Sequence, residues 1–126
     1  MRKMGLDFGT KRVGVALTDE LGVMAFPHGV LPNDDHLLER VLALVDEKGV
    51  DAIVVGHSKN KDGGDNPVQV KIYQFIENIT LDRPIPVHLE PEIYSTQEAI
   101  RIQGRNAQTD AAAATIILNS YLMRQL

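Results

Sequence analysis

An α/β domain with a mixed sheet is predicted by two rhythms in the chain and by the order in which they occur. The first third alternates with period two, clearest in Arg12-Val13-Gly14-Val15-Ala16-Leu17-Thr18. From Asn33 onward, apolar stripes of helical period take turns with short continuous apolar runs such as Ala52-Ile53-Val54-Val55-Gly56. At 126 residues the chain is read as one domain spanning 1–126, with 44% hydrophobic residues to fill a core.

Lys3 to Phe8 and Arg12 to Thr18 read as two strands joined by the compact Gly9-Thr10-Lys11. Asp19-Glu20-Leu21-Gly22 turns the chain again, and Val23 to Leu31 is a third strand, weakened by Pro27. Three strands with short links make an antiparallel meander. Asn33 is then the N-cap of a helix whose stripe is Leu37, Leu38, Val41, Leu42, Leu44 and Val45, ending at Lys48-Gly49. The run at Ala52 is a buried parallel strand, and His57 to Asp65 is a surface loop. Asn66-Pro67 starts a second helix, with Val70, Ile72, Tyr73, Phe75, Ile76 and Ile79 as its stripe. Ile85 to Glu90 is the fifth strand. Ser95 and Glu98 have capping-box spacing for a short helix ending near Gly104, and Thr109 to Met123 is the last helix. The expected fold is a five-stranded mixed sheet, a three-strand antiparallel meander plus two parallel strands, with helices on both faces. That order is RNase H-like.

Bulk composition narrows the chemistry. With no cysteine there is no disulfide, thiolate metal site or thiol nucleophile, as expected in a reducing cytoplasm. No apolar run approaches the roughly 18 residues that cross a bilayer. A soluble cytoplasmic protein without a membrane partner is expected. The net charge of −4 argues mildly against a nucleic-acid partner, although carboxylates that hold metal count as negative until ions offset them.

Three acids fall at the ends of elements. Asp7 closes the first apolar run, Glu92 follows Pro86-Val87-His88-Leu89, and Asp110 heads Ala111-Ala112-Ala113-Ala114. Distant carboxylates that meet in space are what magnesium-dependent phosphodiester hydrolysis needs. Two such ions roughly 3.5–4 Å apart can activate water and stabilise the leaving oxygen, using hard oxygen ligands. Each acid also has a plain reading. Asp7 could bond to turn amides, Glu92 sits beside Glu90 among solvated surface acids, and Asp110 suits the positive end of a helix. The four histidines lack metal-ligand spacing. Ser58 and Ser95 lack a nucleophile elbow. The loop from Gly56 to Gly64 has glycine and lysine but no P-loop ending. It is read as a partly basic loop able to touch a nucleic-acid backbone.

The segment Leu6-Asp7-Phe8-Gly9-Thr10-Lys11-Arg12-Val13-Gly14-Val15-Ala16 resembles the opening of the YqgF family, also called RuvX. Ile53-Val54-Val55-Gly56, Glu92 with Ser95-Thr96-Gln97-Glu98-Ala99, and Thr109-Asp110 with its alanine run and Tyr121-Leu122 resemble later family segments in the same order. The family is RNase H-like, and its members are described as pre-16S rRNA nucleases and Holliday-junction resolvases. The resemblance implies that Asp7, Glu92 and Asp110 are the catalytic, metal-binding set for Mg²⁺ or Mn²⁺. It also implies roles for Lys11 and Arg12 beside the first strand. Lys11, Arg12, Lys59 and Lys61 are the expected nucleic-acid contacts. The expected activity is endonucleolytic cleavage of structured nucleic acid, foremost the 5′ end of precursor 16S rRNA. The alternatives are junction resolution, which requires a homodimer to cut two strands symmetrically, and a non-catalytic RNA-binding assembly module. The chain departs from the family at Pro91-Glu92-Ile93, where Asp-Glu-Arg is usual, and it is short between Glu98 and Asp110. The missing arginine removes a donor fork suited to phosphate.

Overall fold

The computed structural model describes residues 1–9, 11–57, 67–91 and 107–125. Strand β1 (Arg2–Phe8) pairs antiparallel with β2 (Arg12–Thr18), and β2 pairs antiparallel with β3 (Ala25–Pro32). Helix α1 (Leu37–Lys48) carries the chain back to β4 (Val50–His57), which lies parallel to β1. Helix α2 (Pro67–Asp82) crosses to β5 (Val87–Pro91), parallel to β4, and α3 (Ala107–Arg124) covers the other face. The strand order is β3-β2-β1-β4-β5, the expected meander with two parallel additions. Among the described residues no helix is long and apolar enough to cross a membrane.

Strand alternation divides the core in two. Met4, Leu6, Phe8, Val13, Val15, Leu17, Ile53 and Val55 face one side and pack on Leu37, Val41 and Val45 of α1 and Ile72, Phe75 and Ile79 of α2. The rings of Phe8 and Phe75 meet edge to face at 5.1 Å. On the other side the strands carry smaller residues. Ala16, Ala25 and Val54 lie under Ala114, Ile117, Leu118 and Tyr121 of α3.

Several details differ from the sequence reading. β3 starts at Ala25 rather than Val23, because the Asp19 carboxylate accepts the Val23 N–H at 2.9 Å and Gly22 turns with φ 74°. Pro27 is accommodated because β3 is an edge strand, next to a register shift between Val15 and Ala16 of its neighbour. Asn33 does not cap α1. The N-cap position is His36, whose N–H is bonded by Asp34, while the Asn33 amide reaches back to the Gly9 carbonyl at 2.7 Å. The C-terminus behaves as read, with Gly49 left-handed at φ 66° and its N–H on the Val45 carbonyl. In α2, Val70 and Tyr73 are exposed, so its stripe narrows to Ile72, Phe75, Ile76 and Ile79. The helix expected after Ser95 lies outside the described residues.

Candidate active site

Asp7 is the sixth residue of β1, at the carboxyl end shared by the parallel strands, where open α/β sheets place their ligands. Its neighbours Leu6 and Phe8 point into the larger core. Alternation therefore turns Asp7 to the α3 side, together with Gly5, whose added Cβ would lie 2.9 Å from the Ala114 carbonyl oxygen. The acid is 2% exposed.

Directly across the ladder from Asp7 stands Gly14. An ideal Cβ built on Gly14 would fall 2.0 Å from the carbonyl oxygen of Asp110 and 2.5 Å from its carbonyl carbon. The first turn of α3 thus rests on bare strand backbone, one pair partner away from Asp7. Cross-strand partners lie about 4.5–5.5 Å apart, so Asp7 and Asp110 share one small neighbourhood. Asp110 is 3% exposed. Both carboxylates are removed from water, on rigid elements, on one face of the sheet.

Arg12 stands two residues from Gly14 and so faces the same way. Its Nε lies 3.0 Å from Oδ2 of Asp110. Its backbone is held as well, because the Gly9 N–H donates to the Arg12 carbonyl at 2.7 Å. Asn33 closes the same link from the far end of β3. Its side chain bonds the Gly9 carbonyl and its N–H donates to the Lys11 carbonyl at 2.9 Å. The residue read as a helix cap is therefore a staple for the link beside Asp7. Lys11 is exposed at this mouth.

In the sequence Glu90 reads as one of two crowded surface acids, yet it is 2% exposed. It pairs across the ladder with Gly56 and accepts a hydrogen bond from Ser120 Oγ at 2.9 Å, with Arg124 Nη2 2.8 Å away. The i, i+4 spacing of Ser120 and Arg124 on one helix face was the available signal. His88, two residues earlier on the same side of β5, stacks on Tyr121 at 5.1 Å, which accounts for it without chemistry. Glu92, Lys59 and Lys61 lie outside the described residues, and among the described residues no cluster of three metal-ligating side chains occurs. What stands together is a pair of carboxylates with a guanidinium. Hard oxygens on rigid backbone suit a magnesium-class cation, which needs few protein ligands and keeps several waters.

The chain has relatives that match it nearly end to end. The family model described as RuvX, Holliday junction resolvase, matches residues 1–124. A Desulforudis audaxviator protein named "Putative pre-16S rRNA nuclease" is 38% identical, covering 97% of this chain and 94% of its own length. A Geobacillus kaustophilus protein of the same name is 39% identical, covering 97% of each chain. Among solved structures, T. thermophilus RuvC in complex with Holliday junction substrate superposes with a TM-score of 0.66 at 16% identity, over 99% of this chain and 96% of that one. The fowlpox virus resolvase in complex with Holliday junction DNA does so at 0.62 and 15% identity, over 100% and 99%. At such identities the structures establish the RNase H-like fold.

Proposed function

The chain belongs to the RuvX family, and from that membership we propose that it is a divalent-metal-dependent endonuclease acting on precursor 16S rRNA in the cytoplasm. The observation that carries the reading is the junction at Gly14, which brings the first turn of α3 and the end of β1 together so that Asp7 and Asp110 become neighbours. Those two carboxylates would hold the cation, with Glu92 completing the set as the family resemblance implies. Bound there, Mg²⁺ or Mn²⁺ would supply charge stabilisation for a phosphodiester and acidify water.

The remaining work falls to the chain. Asp7 and Asp110 fix the position of the charge because neither backbone can retreat, one being in the ladder and the other seated on Gly14. Burial of both acids keeps bulk water from screening the site. The stapled link presents Lys11 and Arg12 where the backbone of a nucleic acid would pass, and Lys59 and Lys61 are assigned to the same backbone. Local basic groups offset an acidic whole. A net charge of −4 is therefore no obstacle.

The test is cleavage of a precursor 16S rRNA end fragment in Mg²⁺ and Mn²⁺, with a four-way DNA junction beside it. Metal-dependent cutting of the RNA is expected, reduced about a hundredfold or more by Asp7→Asn, since even residues behind metal ligands cost 10–100-fold. Cutting of the junction alone would favour the resolvase reading and require a dimer. RNA binding without cutting of either substrate would sink the enzyme and leave an assembly module.

A further inference from the structure

We infer that Arg12 is the resident cation of Asp110, and that a divalent ion displaces it and frees its guanidinium for a nucleic-acid phosphate. This rests on the metal-dependent reading of the site. Asp110 is buried and ionisable, so its charge requires a partner other than water. The structure provides one in Arg12 Nε, 3.0 Å from Oδ2. The two partners differ in freedom. Asp110 belongs to the helix turn pressed onto Gly14, whereas the Arg12 side chain is 39% exposed and reaches its partner from the rim. The Arg12 backbone is held by Gly9, so exchange needs only rotation of a long side chain.

A guanidinium and a divalent cation repel each other, and a metal bound at Asp110 withdraws the negative charge that holds Arg12. Loading the metal therefore drives the guanidinium outward. Its planar fork of five N–H donors, unlike an ammonium, matches the oxygens of a phosphate. Lys11 is its exposed neighbour on the same link. A backbone phosphate that captures Arg12 removes the competitor for Asp110, and metal binding and nucleic-acid binding strengthen each other reciprocally.

Mn²⁺ affinity of the free protein, read by electron paramagnetic resonance, compares wild type with Arg12→Gln and Arg12→Lys. A parallel titration measures affinity for a four-way DNA junction in Ca²⁺ and in EDTA. Removing the charge in Arg12→Gln is expected to tighten Mn²⁺ binding about tenfold, the low end of what a neighbouring cation does to a carboxylate. Arg12→Lys retains the charge and stays near wild type. Junction binding should gain more from Ca²⁺ in wild type than in Arg12→Gln. Equal or weaker Mn²⁺ binding by a folded Arg12→Gln overturns the inference while leaving the metal site standing. Should that variant not fold, wild-type Mn²⁺ affinity unchanged by saturating junction overturns it equally. Wild type whose Mn²⁺ binding is absent, or indifferent to Asp7→Asn, overturns this inference and the proposed function together.

Discussion

The two faces of the sheet use opposite strategies. The face under α1 and α2 is filled by large side chains, among them Met4, Leu6, Phe8, Ile53 and Phe75, which hold the helices a full side-chain layer away. The face under α3 is built on Gly5, Gly14, Ala16 and the alanines of the helix, so backbone approaches backbone. Thickness of packing separates their tasks. A thick layer stabilises by area and tolerates repacking. A thin one leaves a helix turn no choice of position, and the candidate acids stand on that side.

The comparison is broken most severely at Gly14. Gly14→Ala places a methyl 2.0 Å from a main-chain oxygen that no rotamer change can move, so the N-terminal turn of α3 must lift. We expect a loss of about 3 kcal/mol, the upper end of overpacking costs, together with loss of nuclease activity. Urea denaturation and the rRNA cleavage assay check both. On the opposite face Ile53→Val removes one buried methylene group from the thick layer. It should cost only about 0.5–1.5 kcal/mol, with cleavage unchanged at a temperature where the variant is folded. Equal activity losses from the two substitutions would contradict the division of tasks.

The smallest effect lies furthest from the site. The Arg83 guanidinium, between α2 and β5, bonds the Asp46 carboxylate of α1 and holds its carboxyl below the usual range. A carboxyl depressed in the folded state contributes stability that is present above its unfolded value, about 3.9, and is lost as pH falls through the folded value. The pair is exposed, so the contribution is small. The difference in urea midpoint between wild type and Asp46→Asn should be visible at pH 7 and shrink progressively as the pH falls below about 3.9. A difference that persisted at low pH would assign the effect to something other than ionisation.

Much of this was legible in the chain. Period-two alternation in β2, the glycine stop at Gly49, the Pro67 helix start and the apolar run of β4 are local properties. They depend on backbone sterics and on which side of an element is apolar. Asp7 and Asp110 stood out because they interrupt such patterns at element ends. Asn33 and Glu90 differ from their local reading for one shared reason. A side chain able to cap, solvate or pack locally can find a better partner far away in sequence, as Asn33 does at Gly9 and Glu90 at Ser120 and Arg124. The sequence by itself determined the elements, their order and the acids worth following. Tertiary structure alone decided that Asp7 and Asp110 are neighbours, because their proximity is set by a missing side chain at Gly14. An absent Cβ has no pattern of its own until another backbone lies on it.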